Sequence, residues 1–348
     1  MTAGIRTKPE PAMTAGDRFR ASSGPAGLVI TCALALGLGF VPAAAQAPAP
    51  APPNESRHLR LAVVASGSAM TNINQNDAKA AVKVWLDIIA RQKGYVLDSS
   101  VDIAGNVREI RNRLESHSTE LIVLTTSDYL EMESSHLMTP VLTHALLSQG
   151  GAAYSYLFLV GPSSQAATLA DLRGRSILTS TRGGSNIAGV WLDVLLGREN
   201  LGRATSFFSS VRSPEKAQDC ILSLFFGKED ACVVDEVSLN MAKELNPQLG
   251  KLKVLARSRP MIGSVIATPV EPFPGRTELI DALLSLHEDP RGRQVLHLFR
   301  SERVLRIQSG DIDSVRDLFA ESRRLPAAHT APASTRPLTI ANTEGAGK

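Results

Sequence analysis

The sequence predicts an α/β protein of two lobes with a ligand cleft between them, preceded by an export signal. Three observations carry this. Short apolar runs alternate with one-sided helical patterns from residue 59 onward. A β-α-β-α-β order occurs twice. The chain after the second set still holds strand-like runs at 252–256 and 261–267 and three helical patterns. Strand–helix–strand alternation implies a mostly parallel sheet covered by helices. A chain that builds one such unit, then a second, and then returns, uses its last elements to complete the first. The expected division is a signal peptide at 1–45, an Ala/Pro-rich linker at 46–56, a first lobe from 57–150 plus 262–325, a second lobe at 151–261, and a flexible tail at 326–348.

The export signal is read from its order of parts. Asp17, Arg18 and Arg20 form a short, locally basic flank after Met13, and Gly27 to Phe40 is uncharged and mostly apolar. Val41-Pro42-Ala43-Ala44-Ala45 then offers a small-residue cleavage site, with the cut after Ala45. Met13 is an alternative start, because the residues before it lengthen the flank without adding apolar character. The alternative to cleavage is a retained anchor, but the apolar run falls short of the roughly 20 residues that a spanning helix needs. Cys32 lies inside the apolar run, which argues against lipidation. The mature chain is expected in the periplasm.

The linker and the tail are rich in small residues and proline and carry no periodic apolar pattern. Between them, about 270 residues suffice for a substantial core. LRLAVVA at 59–65 reads as a buried strand. Asp77 opens a helix with Ala78, Val82, Trp85, Leu86 and Ile89 on one face, and Gly94 ends it. Tyr95 to Val101 is the next strand. Asn106 caps a helix lined by Val107, Ile110 and Leu114, and Leu121 to Leu124 is a third strand. The second set begins with Tyr154 to Val160. It continues through Ser176 to Thr179, a helix carrying Ile187, Trp191 and Val194, a short strand at Phe207-Phe208, a helix from Pro214 to Gly227, and a strand at 231–234 ending in Asp235. Helices at about 276–287, 290–300 and 312–323 close the chain.

The formal charge is +3, and no basic block interleaves with aromatics, so a nucleic-acid partner is not expected. The histidines form no metal motif, with His136 and His144 eight apart and His117 isolated. No GxSxG elbow occurs. An enzyme, a metal or a cofactor is therefore not expected, and the chain is expected to be a monomer.

Three segments carry the resemblance to a known family. They are Asp171-Leu172-Arg173-Gly174-Arg175, Gly183-Gly184-Ser185-Asn186, and Asp230-Ala231-Cys232-Val233-Val234-Asp235. From about Leu59 to Leu325 the chain resembles the substrate-binding proteins of phosphate/phosphonate ABC transporters, which are two-lobed periplasmic binding proteins of type 2. Arg175 stands where the family usually has lysine, and Gly227 to Ala231 carries a two-residue insert before the strand. The resemblance implies capture of a small oxyanion or organophosphonate for an inner-membrane ABC permease. Some relatives instead feed a membrane signalling partner such as a sensor kinase, and this alternative stays open.

Candidate ligand residues follow from position. Ser180 to Asn186 lies at a strand-to-helix junction, where backbone N–H groups and the helix dipole attract an anion. Thr181, Gly184, Ser185 and Asn186 are its candidate contacts, against an ordinary glycine turn with a serine cap. Ser66 and Ser68 follow the first strand, where ligands of parallel sheets collect. Thr126 lies past the third strand, and the family resemblance implies an aromatic ligand contact at Tyr129. Asp128 repels an anion and is expected to cap the following turn. The resemblance also implies that Asp235 meets a ligand amine, with helix capping as the alternative. Glu236 beside it disfavours a bare dianion there. Cys220 and Cys232 are either a disulfide or two buried thiols.

Overall fold

A computed structural model describes residues 57–70, 74–147, 150–180 and 185–326. The expected signal peptide, linker and tail beyond residue 326 lie outside the described residues, as do Thr181, Arg182, Gly183 and Gly184. Among the described residues, no helix is long and apolar enough to cross a membrane.

The first unit is built as its apolar pattern dictates. Strand β1 (Arg57–Ser66) leads through helix α1 (Gln75–Lys93) to β2 (Tyr95–Ala104), which pairs parallel to β1 from Arg57↔Tyr95 to Ser66↔Ala104. Helix α1 starts two residues before Asp77, because Asn74 Oδ1 accepts from the backbone N–H groups of Asn76 and Asp77. It ends where Gly94 takes a left-handed φ of 71°, a conformation that costs glycine nothing. Helix α2 (Val107–Glu115) is capped by Asn106 and buries Ile110 and Leu114. Then come β3 (Leu121–Thr125) and α3 (Thr126–Met132).

Strand β4 (Met138–Leu146) was not legible as a strand, since Pro140 and His144 interrupt its apolar pattern. The predicted strand at 154–160 divides at Ser155 into β5 (Ala153–Tyr154) and β6 (Tyr156–Val160). The second unit continues with β7 (Ser176–Thr179), α4 (Ile187–Arg198) and α5 (Ala204–Phe207). Phe207 therefore closes a short helix rather than forming a strand, and β8 (Ser210–Arg212) follows it. The aromatic pair packs instead: Phe207 and Phe208 meet edge to face, and both are buried. Helix α6 (Ala217–Phe225), β9 (Ala231–Asp235), α7 (Glu236–Leu245) and β10 (Lys253–Arg257) complete the unit.

The return stretch breaks at Gly263 into β11 (Met261–Ile262) and β12 (Ser264–Pro269). Helices α8 (Arg276–Leu284) and α9 (Pro290–Leu298), strand β13 (Ser301–Arg306) and helix α10 (Asp313–Arg324) end the described chain.

Two sheets result. The first has the order β13-β4-β12-β3-β1-β2, and the second β10-β6-β9-β7-β8. Strands β5 and β11 form a two-stranded ribbon where the chain passes between them. The centre of the second sheet is wholly buried, every residue of β6 and β9 included, which explains why both read as continuous apolar runs. At the edge of the first sheet, β13 carries Glu302, Arg303 and Arg306, charges that discourage further strand pairing.

One expected assignment changes. The last helix, read from the sequence as part of the first lobe, packs on the second. Val315 and Leu318 belong to the apolar cluster of Phe158, Trp191, Leu192 and Val233. Its apolar face matches the open side of α4, whereas the first sheet already has both faces covered by α1, α8 and α9 and by α2 and α3.

Candidate functional site

The strand registers locate the cleft rims. In the first sheet β3 runs parallel to β1, and Ser264, which opens β12, lies opposite Thr125, which ends β3. In the second sheet β7 and β9 are parallel, and Tyr156, which opens β6, lies opposite Asp235, which ends β9. The carboxyl ends of the parallel strands in each lobe therefore share an edge with the chain passages between lobes. Ligands of α/β sheets collect beyond such ends.

On the first rim, Ser66 and Ser68 are held in place by protein partners. Ser66 is buried, and its Oγ accepts from Ala69 N at 3.2 Å and lies 3.3 Å from Ser68 Oγ. Ser68 Oγ also donates to the Asp128 carboxylate. Asp128 is thus not the cap of α3. That role falls to Thr125, whose Oγ1 accepts from Asp128 N at 3.1 Å, while the Asp128 side chain reaches across to the loop after β1. Thr126 is fully buried, with Oγ1 donating to Ile262 O at 2.7 Å and its N–H donating to Gly263 O at 3.0 Å. Its hydroxyl fastens the rim to the returning chain.

Tyr129 lies one turn into α3, buried in the cluster of Ile122, Met132 and Val265. Burial, followed by the nearby charge of Glu133, pushes its phenol up to about 12, and Glu133 also accepts a hydrogen bond from it. The polar end of Tyr129, for which the resemblance implied a ligand contact, faces Glu133.

On the second rim, Asp235 is fully buried and caps α7. Oδ1 accepts from Ser238 N at 2.9 Å and Oδ2 from Ser238 Oγ at 2.7 Å. The capping alternative describes this geometry. Glu236 is ion-paired to Arg257, which offsets part of the negative charge beside Asp235. Ser185 is buried and accepts from Ile187 N at 3.3 Å. Asn186 precedes α4 and makes no side-chain capping bond. Thr179 at the end of β7 shares a 2.6 Å hydrogen bond with Ser213. Of the four candidates in this turn, Thr181 and Gly184 lie outside the described residues.

The structure also brings forward residues without a sequence signal. Ser264 Oγ and His144 Nδ1 are 3.0 Å apart at the same end of the first sheet as Thr125. Neither sits in a motif, and His144 could be placed only by recognising β4. Ser258 supports Tyr156, accepting from Tyr156 N at 2.8 Å and donating to Arg259 O at 2.8 Å. Cys220 and Cys232 are two free thiols, both fully buried. Burial, and next its hydrogen bond to Cys220, push the Cys232 thiol well above its usual range, so it stays protonated.

Residues 68–311 match the family of periplasmic substrate-binding proteins of phosphonate ABC transporters. The chain belongs to this family. The match runs from the loop after β1 to just before α10. Solved structures carry the same fold at low identity. The protein XAC2383 of Xanthomonas citri, bound to ATP, is 15% identical with a TM-score of 0.57, over 76% of this chain and 97% of that one. PhnD1 of Prochlorococcus marinus, in complex with methylphosphonate, is 12% identical with a TM-score of 0.53, over 76% and 99%. A binding-protein component of an ABC phosphonate transporter from Pseudomonas aeruginosa is 12% identical with a TM-score of 0.52, over 76% and 87%. No curated protein matches the sequence. This phosphonate-family binding protein therefore has the two-lobed type 2 fold with its cleft between the lobes, and a general solute-binding role.

Proposed function

We propose that this protein captures a small oxyanion or organophosphonate in the periplasm, after cleavage behind Ala45, and delivers it to an inner-membrane ABC importer. The family match over residues 68–311 carries the reading. The rims add chemical support. The anionic head sits against the turn before α4, where Ser185 and Asn186 stand at a helix start. Asp128 and Asp235 place carboxylates on both rims, so the other end of the ligand is neutral or bears an amine. The lobes close over the solute by a hinge motion and release it unchanged.

The test is thermal stabilisation of the mature chain by methylphosphonate, 2-aminoethylphosphonate, phosphate, phosphite and an alkylsulfonate. At least one phosphorus oxyanion should raise the unfolding midpoint. Phosphorus NMR should show the same compound before and after incubation. No shift with any member of the panel would sink the reading, and turnover of the ligand would replace it with an enzymatic one. A permease that is not stimulated by the loaded protein would favour a sensory partner instead.

A further inference from the structure

The lobes are joined three times. The chain crosses at Tyr154–Tyr156 and returns at Arg257–Ser264, and it crosses again between β13 of the first sheet and α10. The third crossing is fastened at both ends. Ile312, just before α10, packs in the first-lobe cluster with Ile110 and Met132. On the second-lobe side, Val315, Leu318, Phe319 and Leu325 join the other core, and Leu325 lies so close to Gly197 of α4 that a Cβ there would sit 2.4 Å from it. Arg198 of α4 grips Glu321 with two bonds of 2.7 Å, and Arg203 Nη2 donates to Ser322 O at 3.2 Å.

The fastening to the first lobe is of another kind. Arg316 Nη2 and Nε donate to Glu133 Oε1 at 2.7 Å and Oε2 at 3.2 Å, a two-pronged pair at the end of α3. Tyr129, Asp313 and His136 are the other charged or titratable neighbours of this pair. Helix α3 starts on the first rim, where Thr125 caps it and its first residue, Thr126, binds the returning chain. A crevice of about 430 Å³ opens beside the ribbon, lined at all three crossings by residues that include Ala153, Ile262, Gln308 and Asp311. The crossings thus border a solvent-open crevice.

We propose that α10 is a strap between the lobes and that the Arg316–Glu133 pair is its clasp, limiting how far the lobes move apart. Arg316 and Glu133 are positioning residues. They act on the cleft through α3 and do not touch the solute. The inference concerns lobe motion, so it holds whichever solute the cleft takes.

The experiment uses the ligand-free mature chain, spin-labelled at Glu115→Cys on the first lobe and Glu244→Cys on the second, both exposed. The two native thiols are fully buried and so escape the label. Pulsed dipolar spectroscopy of this parent should give one narrow distance distribution. Glu133→Gln and Arg316→Gln should each broaden it toward longer distances. Arg316→Lys keeps the charge and loses the fork, so it should fall between. Arg113→Gln removes two ion pairs internal to the first lobe, with Asp102 and Glu109, and should leave the distribution unchanged. The proposal is overturned if the clasp variants are folded by circular dichroism and superimpose on the parent. It is equally overturned if Arg113→Gln broadens the distribution as much as they do. Should the glutamine variants fail to fold, a parent-like distribution for Arg316→Lys would itself refute the clasp.

Discussion

The two rims of the cleft are built on different principles. On the first, the side chains bond to one another and to the returning chain: Ser68 to Asp128, Ser66 to the loop behind it, Thr126 to Ile262. On the second, Asp235 caps its own helix, and Asn186 before α4 makes no side-chain capping bond. Asn74, Asn106, Thr125 and Asp289 cap α1, α2, α3 and α9 through the side chain, whereas α5, α6, α8 and α10 start, like α4, without such a bond. The first rim is a frame whose polar groups maintain the lobe connection. The second presents a helix start where Ser185 accepts from Ile187 N and Asn186 adds no cap. Substitutions on the first should therefore register as stability, and on the second as ligand affinity.

The connection itself should give the largest effect. A Cβ at Gly263 would lie 2.2 Å from the Tyr154 hydroxyl and 3.1 Å from its ring. That ring is buried and set edge to face on Tyr156, so it has little room to retreat. Gly263→Ala should cost about 1–3 kcal/mol in urea unfolding, the usual range for overpacking. Adding Tyr154→Phe should recover part of the loss. If the double variant is as unstable as the sum of the two singles, the clash is not the cause.

Next comes the frame. Thr126→Val keeps the shape but leaves Ile262 O without its donor, a loss of about 1–3 kcal/mol. Its ligand affinity should change little if the lobe still folds. Ser185→Ala should do the reverse. The 3.3 Å bond it removes is long, so unfolding should move little, while loss of one donor to a charged ligand oxygen weakens binding by roughly 1.5–3 kcal/mol. Calorimetry with methylphosphonate on both variants tests the contrast. Equal affinity losses would erase the distinction between the rims. Asp235→Asn sharpens it further. Asparagine caps a helix about as well as aspartate, so stability should fall by no more than about 1 kcal/mol. A selective loss of 2-aminoethylphosphonate relative to methylphosphonate would assign Asp235 to the ligand amine. Equal losses would leave it a cap.

How far these rims were legible follows from the same contrast. The parallel strands β1, β3, β7 and β9 announce themselves as continuous apolar runs, because both of their faces are covered. The residues that follow them could be marked as rim candidates before any coordinates. Partners across long sequence separations were not legible. Thr126 and Ile262 are 136 residues apart, and nothing local distinguishes a hydroxyl that holds a carbonyl from one that awaits a ligand. Strands β4 and β13 escaped for a related reason, since Pro140 and the charges of β13 remove the apolar alternation that marks a strand. The helix α10 was legible as a helix, but its placement was not. Its apolar face specifies that it packs, and the match with α4 specifies where.

The smallest expected effect tests the strap that spans the two regions. Arg316, through its hydrogen bonds, holds the Glu133 carboxyl below its ordinary value of 4.5, and Arg198 does the same for Glu321. A carboxylate with a depressed folded pKa stabilises the native state above its unfolded value. That contribution is lost as pH falls through the depressed value. Stability should thus decline as pH drops below about 4.5, the range where the unfolded chain begins to bind protons that the folded one excludes. Both carboxylates are about a third exposed, so screening keeps each contribution near the 0.2–1 kcal/mol of exposed pairs. Glu133→Gln removes one titrating group. Its unfolding midpoint should lie slightly below the parent's at pH 6 and converge with it toward pH 3. Arg198→Gln should show the same convergence, because the pair it breaks is depressed by the same cause. Parallel curves for the parent and Glu133→Gln from pH 6 to 3 would mean that the pair adds nothing to native stability. The clasp would then act on lobe position alone, without contributing to the folding of either lobe.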